Sequence, residues 1–331
     1  MKILITGADG LLGNNLVREC LSRNHEVGVM LLSEKTTPQG LVGLPLQRFY
    51  GNILDEKLVR NAIQGFDIVI HLAASTQVNP PKDKKITEIN VLGTKHVIQA
   101  CLDFQVKRLI HVGTANSFAP GSIEHPGTEE NGYSGQPYGL DYFDSKYAAQ
   151  KLILESVKNN SLNAIVVNPT FMIGPFDTKP SSGALLLSLH KKQIPFCTPG
   201  SKTYIAVKDA CIAICNSIEI GRSGQCYILG TENYTYKDFF QLVSSTLGFS
   251  TPKLGLPSFL IKSYGNFNSF VSKITGKIPV LSKEMARLAC ENHCYSGEKA
   301  RKELKMPHTP LSIAIKESYR WFEENGYTSK Y

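Results

Sequence analysis

In the first half of the chain, short apolar runs alternate with longer amphipathic stretches. KILIT (2–6), EVGVMLL (26–32), LQRFYGN (46–52), DIVIHLA (67–73), KRLIHVG (107–113) and NAIVV (163–167) read as strands. Between them, 11–23, 56–64, 88–104 and 138–159 read as helices; Leu12, Leu16 and Leu21 illustrate the near-helical spacing. Strand and helix in this alternation predict an α/β fold, a doubly wound parallel sheet with helices on both faces. The strands are almost unbroken in apolar residues, which a sheet covered on both faces requires. After NPTFMIGP (168–175) the rhythm changes. Loops such as DTKPSSG (177–183) intervene, 204–207 and 225–229 read as further short strands, and from Tyr236 the chain is mainly helical, with breaks at TPKLGLP and GKIP. This divides the chain into 1–174 with 203–230, carrying the large sheet, and a smaller, mainly helical part made of 175–202 with 231–331.

A length of 331 residues suits one or two domains. No run of 18 apolar residues exists, so no membrane-spanning helix and no stable membrane insertion are expected. MKILITG reads as a strand and not as a signal peptide. The formal charge is +8, from 36 basic and 28 acidic residues. The basic residues are scattered and form no block of the kind that binds nucleic acid, so no nucleic-acid partner is expected. The eight cysteines form no CxxC pair, sit mostly in apolar surroundings, and fit buried thiols in a reducing cytoplasm. Cys290, His293 and Cys294 share helical i, i+3, i+4 spacing. With no partner segment, packing explains them better than a metal, and no metal is expected. The stretch 256–274, LPSFLIKSYGNFNSFVSKI, is apolar and lightly basic. It reads as a helix packed on the main body, with a lid over a ligand or a helix on a membrane surface as alternatives.

Thr6-Gly7-x-x-Gly10-x-x-Gly13 follows a strand and opens a helix, the context that a dinucleotide fingerprint requires. Gly7 permits the tight turn, Gly10 lets backbone approach a pyrophosphate, and Gly13 lets the helix pack closely on the sheet. The helix N-terminus then offers free N–H groups to the phosphates. Further on, Tyr142-x-x-x-Lys146 and Tyr147-x-x-x-Lys151 each place a phenol and an ammonium one helical turn apart. The two tyrosines point about 140° apart around the helix, so only one pair faces a given site. A free tyrosine titrates near 10, and bringing it near 7 takes about 4 kcal/mol. A neighbouring ammonium, helped by an oxidised nicotinamide, supplies such a shift, and the phenol can then trade a proton with a substrate oxygen.

Several motifs together resemble the extended short-chain dehydrogenase/reductase family. The glycine spacing is its TGxxGxxG. GNILD (51–55) is similar to its GDxxD, with Asn52 in place of the usual aspartate. His71-Leu72-Ala73-Ala74 matches its HLAA, and Asn90-Val-x-Gly93-Thr94 its NVxGT. YFDSKYAAQ matches YxxSKxxAE at Tyr142, Ser145, Lys146 and Ala149, with Gln150 for glutamate. The segment from Gly174-Pro175 through Asp177, Lys179-Pro180 and Val207-x-Asp209-Ala210 resembles the dihydroflavonol-reductase-like branch. The resemblance spans essentially the whole chain. It implies a Rossmann fold in the first part and substrate binding by the second.

It implies a catalytic set of Tyr142, Lys146 and a hydroxyl at the end of the fifth strand. Thr114 occupies that place, and Ser117 is the fallback. It implies cofactor contacts from Gly7, Gly10, Leu11, Leu12, Gly13, Ser33, Asn52, Ile53, Leu72, Ala73, Ala74, Tyr142, Lys146, Asn168 and Pro169. The cofactor is NADP or NAD. After the second strand Glu34 suits the ribose of NAD and Lys35 the phosphate of NADP, but no acid stands directly at the strand end, which favours NADP. The reaction implied is hydride transfer between cofactor and a ketone or aldehyde, or the matching alcohol. Nucleotide-sugar epimerisation or dehydration with tightly bound NAD is the alternative. Residues 175–202 offer Lys179, Lys191, Lys192 and Lys202 but no arginine, the better clamp for a diphosphate. A non-catalytic dinucleotide-binding regulator is the third reading, and the Tyr142/Lys146 pair argues against it. Family members pair through the two long helices, so a homodimer is the implied assembly.

Overall fold

The computed structural model describes residues 1–33, 38–275, 279 and 281–328. The strands of the first half are β1 (Lys2–Thr6), β2 (Glu26–Leu31), β3 (Leu46–Tyr50), β4 (Ile68–His71), β5 (Arg108–Val112) and β6 (Ala164–Pro169). They are followed by β7 (Phe171–Ile173), β8 (Ser201–Ala206), β9 (Cys226–Leu229), β10 (Glu232–Thr235) and β11 (Asn292–His293). Seven of them form one sheet in the order β3-β2-β1-β4-β5-β6-β9, with every pairing parallel. The order of the strands reverses between β1 and β4, which opens a crevice at their C-terminal ends.

Side chains of successive strand residues point to opposite faces. Ile3, Ile5, Ile68, Ile70, Ile110 and Val112 enter the core on one face. Leu4, Val69, Leu109, Ala164 and Val166 enter the core on the other. This is why the strands carry no polar alternation. The first face is covered by α1 (Leu11–Ser22), packed against the later helix 207–220. The second is covered by α2 (Glu56–Ile63), by a helical stretch opening with α3 (Lys84–Thr87), by α4 (Gly93–Asp103) and by α5 (Asp141–Asn160).

Two helices differ from the spacing-based expectation. The helix expected over 88–104 begins at Lys84, where the Asp83 carboxylate caps the Lys85 N–H, and passes through a π turn at Glu88–Leu92. The helix expected from Tyr138 begins at Asp141, because 136–138 is a 3₁₀ turn closed by Gly139 at φ +63°. Tyr142 therefore sits in the first turn of α5.

The remaining helices are α6 (Ala184–His190), α7 (Val207–Ile220), α8 (Tyr236–Leu247), α9 (Ser258–Thr275), α10 (Lys283–Cys290), α11 (Glu298–Glu303) and α12 (Leu311–Glu324). A second, smaller sheet is centred on β8, which pairs with β7 and β11 in parallel and β10 antiparallel. Strands β7, β10 and β11 are two to four residues long, too short to show a periodicity. The strand expected at 204–207 starts at Ser201 and lies in this smaller sheet, while α7 and β9 return to the large one. The expected grouping of 1–174 with 203–230 places β7 and Thr203–Ala206 of β8 together and meets 175–202 within β8, between Lys202 and Thr203. Behind the small sheet, Tyr204 stacks on Phe239 of α8 with centroids 4.3 Å apart, and Ile315 of α12 completes that core.

The 290–294 segment is not one helix. α10 ends at Cys290, and His293 lies in β11. Cys294 Sγ lies 3.1 Å from Ser201 Oγ, whereas Cys290 faces the Ser258 carbonyl, so the helical spacing of the three residues is not realised. All eight cysteines are free thiols, and seven are buried. Among the described residues no helix is long and apolar enough to cross a membrane. α9 packs on α10 through Gly265, whose missing side chain admits Ala286.

Phe239 is fully buried, so Phe239→Ala is expected to lower unfolding free energy by about 3–5 kcal/mol. Urea denaturation followed by circular dichroism measures this; a loss below about 1 kcal/mol would mean that the smaller sheet is not packed as described.

Candidate active site

A cavity of about 920 Å³ opens at the crevice between β1 and β4 and runs from the glycine loop to the small sheet. Its size suits a ligand as large as a dinucleotide with a small substrate. The three glycines of the opening loop each answer a different constraint. Gly7 has φ +71°, and a Cβ there would lie 2.7 Å from the Ala73 nitrogen. A Cβ on Gly13 would lie 2.5 Å from Ala8 Cα and from the Gly7 carbonyl oxygen. A Cβ on Gly10 would meet only the Gly7 oxygen, at 3.9 Å, and otherwise project into open space. Gly10 is also the N-cap of α1, which has no capping side chain and no acid in its first turn. Its first N–H groups thus lie beside a gap in the cavity wall at Gly10, a cradle that fits a pyrophosphate.

A chain of buried hydrogen bonds fixes the loops beside this cradle. Ala73 N–H donates to Thr6 Oγ1, and Thr6 Oγ1 lies 2.8 Å from His71 Nδ1. On the other side His71 Nε2 lies 3.1 Å from Thr94 Oγ1, which donates to the Asn90 carbonyl at 2.6 Å. Because Thr94 spends its proton on Asn90, His71 donates from Nε2 and accepts at Nδ1. Burial and the charge of Lys146 pull its pKa down to about 3, so the ring is neutral throughout the physiological range. Asn90 then ties Ser75, by both its N–H and C=O, to Ser145 Oγ on α5.

Of the residues assigned to the cofactor, Gly7, Gly10, Leu11, Leu12, Gly13, Asn52, Ile53, Leu72, Ala73, Ala74, Tyr142, Lys146 and Pro169 all line the cavity. Asn168 and Ser33 are not among the lining residues. Asn168 is fully buried, and its amide donates to the Thr114 carbonyl at 3.0 Å and to Gln150 Oε1 at 2.8 Å. It acts on the β5 end and α5 from behind. Ser33 is exposed, one residue beyond the lining residue Leu32. Glu34 and Lys35 lie outside the described residues.

Thr114, Tyr142 and Lys146 converge on the cavity. The side chains of Thr114 and Tyr142 both line it, close enough for Thr114 to act on the phenol. Burial raises the Tyr142 pKa, and the neighbouring Thr114 opposes that rise. Lys146 Nζ donates to the Val112 carbonyl at 2.6 Å, and burial lowers its pKa to about 8. Ser117, the fallback hydroxyl, is buried away from the lining. The rival pair is elsewhere: Tyr147 stacks on Tyr133 at 4.2 Å, and Lys151 is exposed.

Other lining residues are not marked by any sequence motif. Phe171 and Met172 come from β7, Lys202 from β8, Tyr236 from α8, Leu288 from α10 and His293 from β11. They stand up to 122 positions apart, and only the small sheet assembles them. His293 Nε2 has no partner among the described residues, and burial with the nearby Lys202 lowers its pKa to about 4. Over the glycine loop, Lys179 forms a 2.7 Å ion pair with Asp9, Asn15 donates to the Pro175 carbonyl, and the Arg18 guanidinium lies 3.7 Å from the Phe176 ring centroid.

A parallel sheet of this order, with a glycine cradle at its switch point, is a dinucleotide-binding Rossmann fold. Residues 3–230 match the family model described as "NAD dependent epimerase/dehydratase family", and the chain belongs to that family of enzymes. It is an extended short-chain dehydrogenase/reductase with dihydroflavonol-reductase-like relatives. The chain is 26% identical over 332 residues to sterol demethylase protein B of Methylococcus capsulatus, covering 98% of this chain and 99% of that one. It is 25% identical over 331 residues to a Synechocystis protein provisionally named a dihydroflavonol 4-reductase, covering 98% and 95%. The structure of Thermus thermophilus UDP-glucose 4-epimerase in complex with NAD superposes with a TM-score of 0.78 at 19% identity, covering 98% and 99%.

Two predictions follow from this geometry. Gly13→Ala is expected to destabilise the protein by about 1–3 kcal/mol, since backbone must move, whereas Gly10→Ala is expected to cost under about 1 kcal/mol. Thermal melts of the two variants should differ accordingly; equal melts would contradict the close approach at Gly13. For Lys146, the folded pKa of about 8 lies below the ordinary lysine value of 10.5, so the unfolded chain binds the extra proton between those values. Stability contributed through this group therefore rises with pH from about 8 to 10.5. Lys146→Met should remove that rise, measured as the wild-type-minus-variant unfolding free energy at pH 7.5 and 10; an unchanged difference would mean that the amine is not desolvated.

Proposed function

We propose that this protein is an NADP-dependent reductase of a ketone or aldehyde, or the dehydrogenase of the matching alcohol, with Thr114, Tyr142 and Lys146 as its catalytic residues. The observation that carries this reading is that Thr114, Tyr142 and Lys146 all line one cavity whose other end is the glycine loop, open at Gly10. Bound nicotinamide supplies or accepts the hydride. Thr114 holds the substrate oxygen beside the phenol, and Tyr142 gives or takes its proton. Lys146, one helical turn on and anchored on the Val112 carbonyl, favours the phenolate by its charge. Burial alone moves Tyr142 the wrong way for this task, so the neighbouring Thr114 and the cationic surroundings of the loaded site have to offset it.

In this reading the cofactor lies along Gly7, Gly10 and Gly13, with Asn52 and Ile53 at its adenine end and Leu72, Ala73, Ala74 and Pro169 nearer the reacting centre. Residues 175–202 with 231–331 enclose the substrate. NADP is preferred because β2 runs into Leu32 and Ser33 with no acid directly at the strand end. Reduction is preferred over nucleotide-sugar chemistry because the cavity is lined at its far end by Phe171, Met172, Tyr236 and Leu288, and among the described residues it contains no arginine. The names of the two curated relatives, a reductase and a sterol demethylase component, agree with a carbonyl or alcohol substrate. A homodimer through the faces of α4 and α5 is part of the proposal and is read out by sedimentation.

Titration with NADPH and NADH, followed by nicotinamide fluorescence and then by a panel of aldehydes, ketones and nucleotide sugars, tests the reading. NADPH is expected to bind more tightly than NADH and to be oxidised by a carbonyl compound. Tyr142→Phe is expected to lower kcat on the order of 10³-fold with cofactor affinity kept, and Tyr147→Phe to do little. Turnover of a nucleotide sugar without net NADPH oxidation would establish the epimerase instead, and loss of activity in Tyr147→Phe alone would move the chemistry to the other pair.

A further inference from the structure

We infer that α9 is a docking surface for an anionic lipid bilayer, on which the protein lies without crossing it. The helix buries only one side. Ile261 and Gly265 face inward, Gly265 against Ala286 of α10. Flanking that buried face, Leu260, Tyr264, Phe267, Val271 and Ile274 recur at intervals of four and three, the spacing that aligns them in one stripe. Phe259 and Phe270 widen it. All seven are exposed, with Phe267 at 64%, Phe270 at 62% and Ile274 at 69%, and Leu254 just before the helix is exposed at 66%. A contiguous apolar face of this kind on a helix marks an interaction surface.

Charge selects the partner. From Phe239 to Lys283 the sequence holds five lysines (253, 262, 273, 277 and 283) and no aspartate or glutamate. Lys253, just before the helix, and Lys262 on it are exposed. Apolar aromatic residues flanked by lysines, on a helix too polar to span a membrane, are the composition of an interfacial helix. Lys283 is paired with Glu284 just beyond this stretch, but α9 itself carries no acid, so a two-fold pairing of this face would bring Lys253 and Lys262 toward lysines, which argues against a second copy of the chain as the occupant. A bilayer rich in anionic headgroups meets both features, taking the rings into the acyl boundary and the ammonium groups at the surface. The position has a consequence for the enzyme. Leu288 of α10, the helix that carries α9, lines the cavity, and Asn79, next to the lining residue Val78, donates to the Pro279 carbonyl just beyond α9. A docked α9 holds the substrate end of the cavity one helix away from the lipid.

Co-sedimentation of the full chain with vesicles tests this. Vesicles of phosphatidylcholine alone and of phosphatidylcholine with phosphatidylglycerol are compared at low and high salt. Binding is expected with the anionic vesicles only, weakened by salt. Phe267→Ser with Phe270→Ser should reduce the bound fraction on the order of tenfold while leaving the circular dichroism melt and NADPH binding unchanged. Lys253→Glu with Lys262→Glu, which alters no packed residue, should remove the preference for anionic vesicles. Failure to sediment with anionic vesicles at low salt would overturn the inference, as would binding that persists in both variants. A dimer in solution that the phenylalanine substitutions convert to monomer, with no vesicle binding, would assign the face to a second copy. None of these results depends on which substrate the cavity takes.

Discussion

Everything at the candidate site depends on how closely backbone approaches backbone where β1 ends. Gly7 turns with φ +71° against the Ala73 backbone, and Gly13 brings α1 down onto Ala8 and the Gly7 carbonyl. No side chain fits at either place. That contact sets the angle of α1, and so aims its uncapped N-terminus at the crevice between β1 and β4. It also leaves Gly10 as a gap in the side-chain wall. Nothing positive is required of these residues except the absence of a Cβ, so three glycines achieve a placement that no set of larger residues allows.

The second constraint is polar and buried. Thr6, His71, Thr94 and Asn90 form one directional chain of hydrogen bonds from the end of β1 to the start of α4, and Asn90 extends it to Ser75 and Ser145. A neutral His71 completes it only in one tautomer. The chain links the loop after β4 to α5, and α5 carries Tyr142 and Lys146. The cradle and the reactive pair are therefore held by one network. Asn168 does similar work from behind β5, joining the Thr114 carbonyl to Gln150. Its neighbourhood explains why a motif residue that precedes the substrate region is buried structure and not a cavity wall.

What was legible in the sequence follows from the range of the interactions. The parallel sheet showed in unbroken apolar strands because each residue of Ile3-Leu4-Ile5 enters one of two cores. The glycine loop and the Tyr142/Lys146 pair are local patterns, each complete within eight residues or fewer. The starts of α4 and α5 were placed less well, since a π turn and a left-handed Gly139 interrupt the periodicity without changing composition.

The sequence by itself determined the large sheet, its direction, the glycine loop and the spacing of Tyr142 and Lys146, because strand burial, backbone clearance and one helical turn are properties of neighbouring residues. Only the tertiary structure decided the other end of the cavity. Phe171, Lys202, Tyr236, Leu288 and His293 meet because β7, β8 and β11 pair across 122 positions, and pairing at that distance leaves no periodic mark on the chain. It also decided which side of α9 is left uncovered. The order of apolar residues there is the same whether the stripe faces a core or faces outward; the contact between Gly265 and Ala286 settles which side is inside.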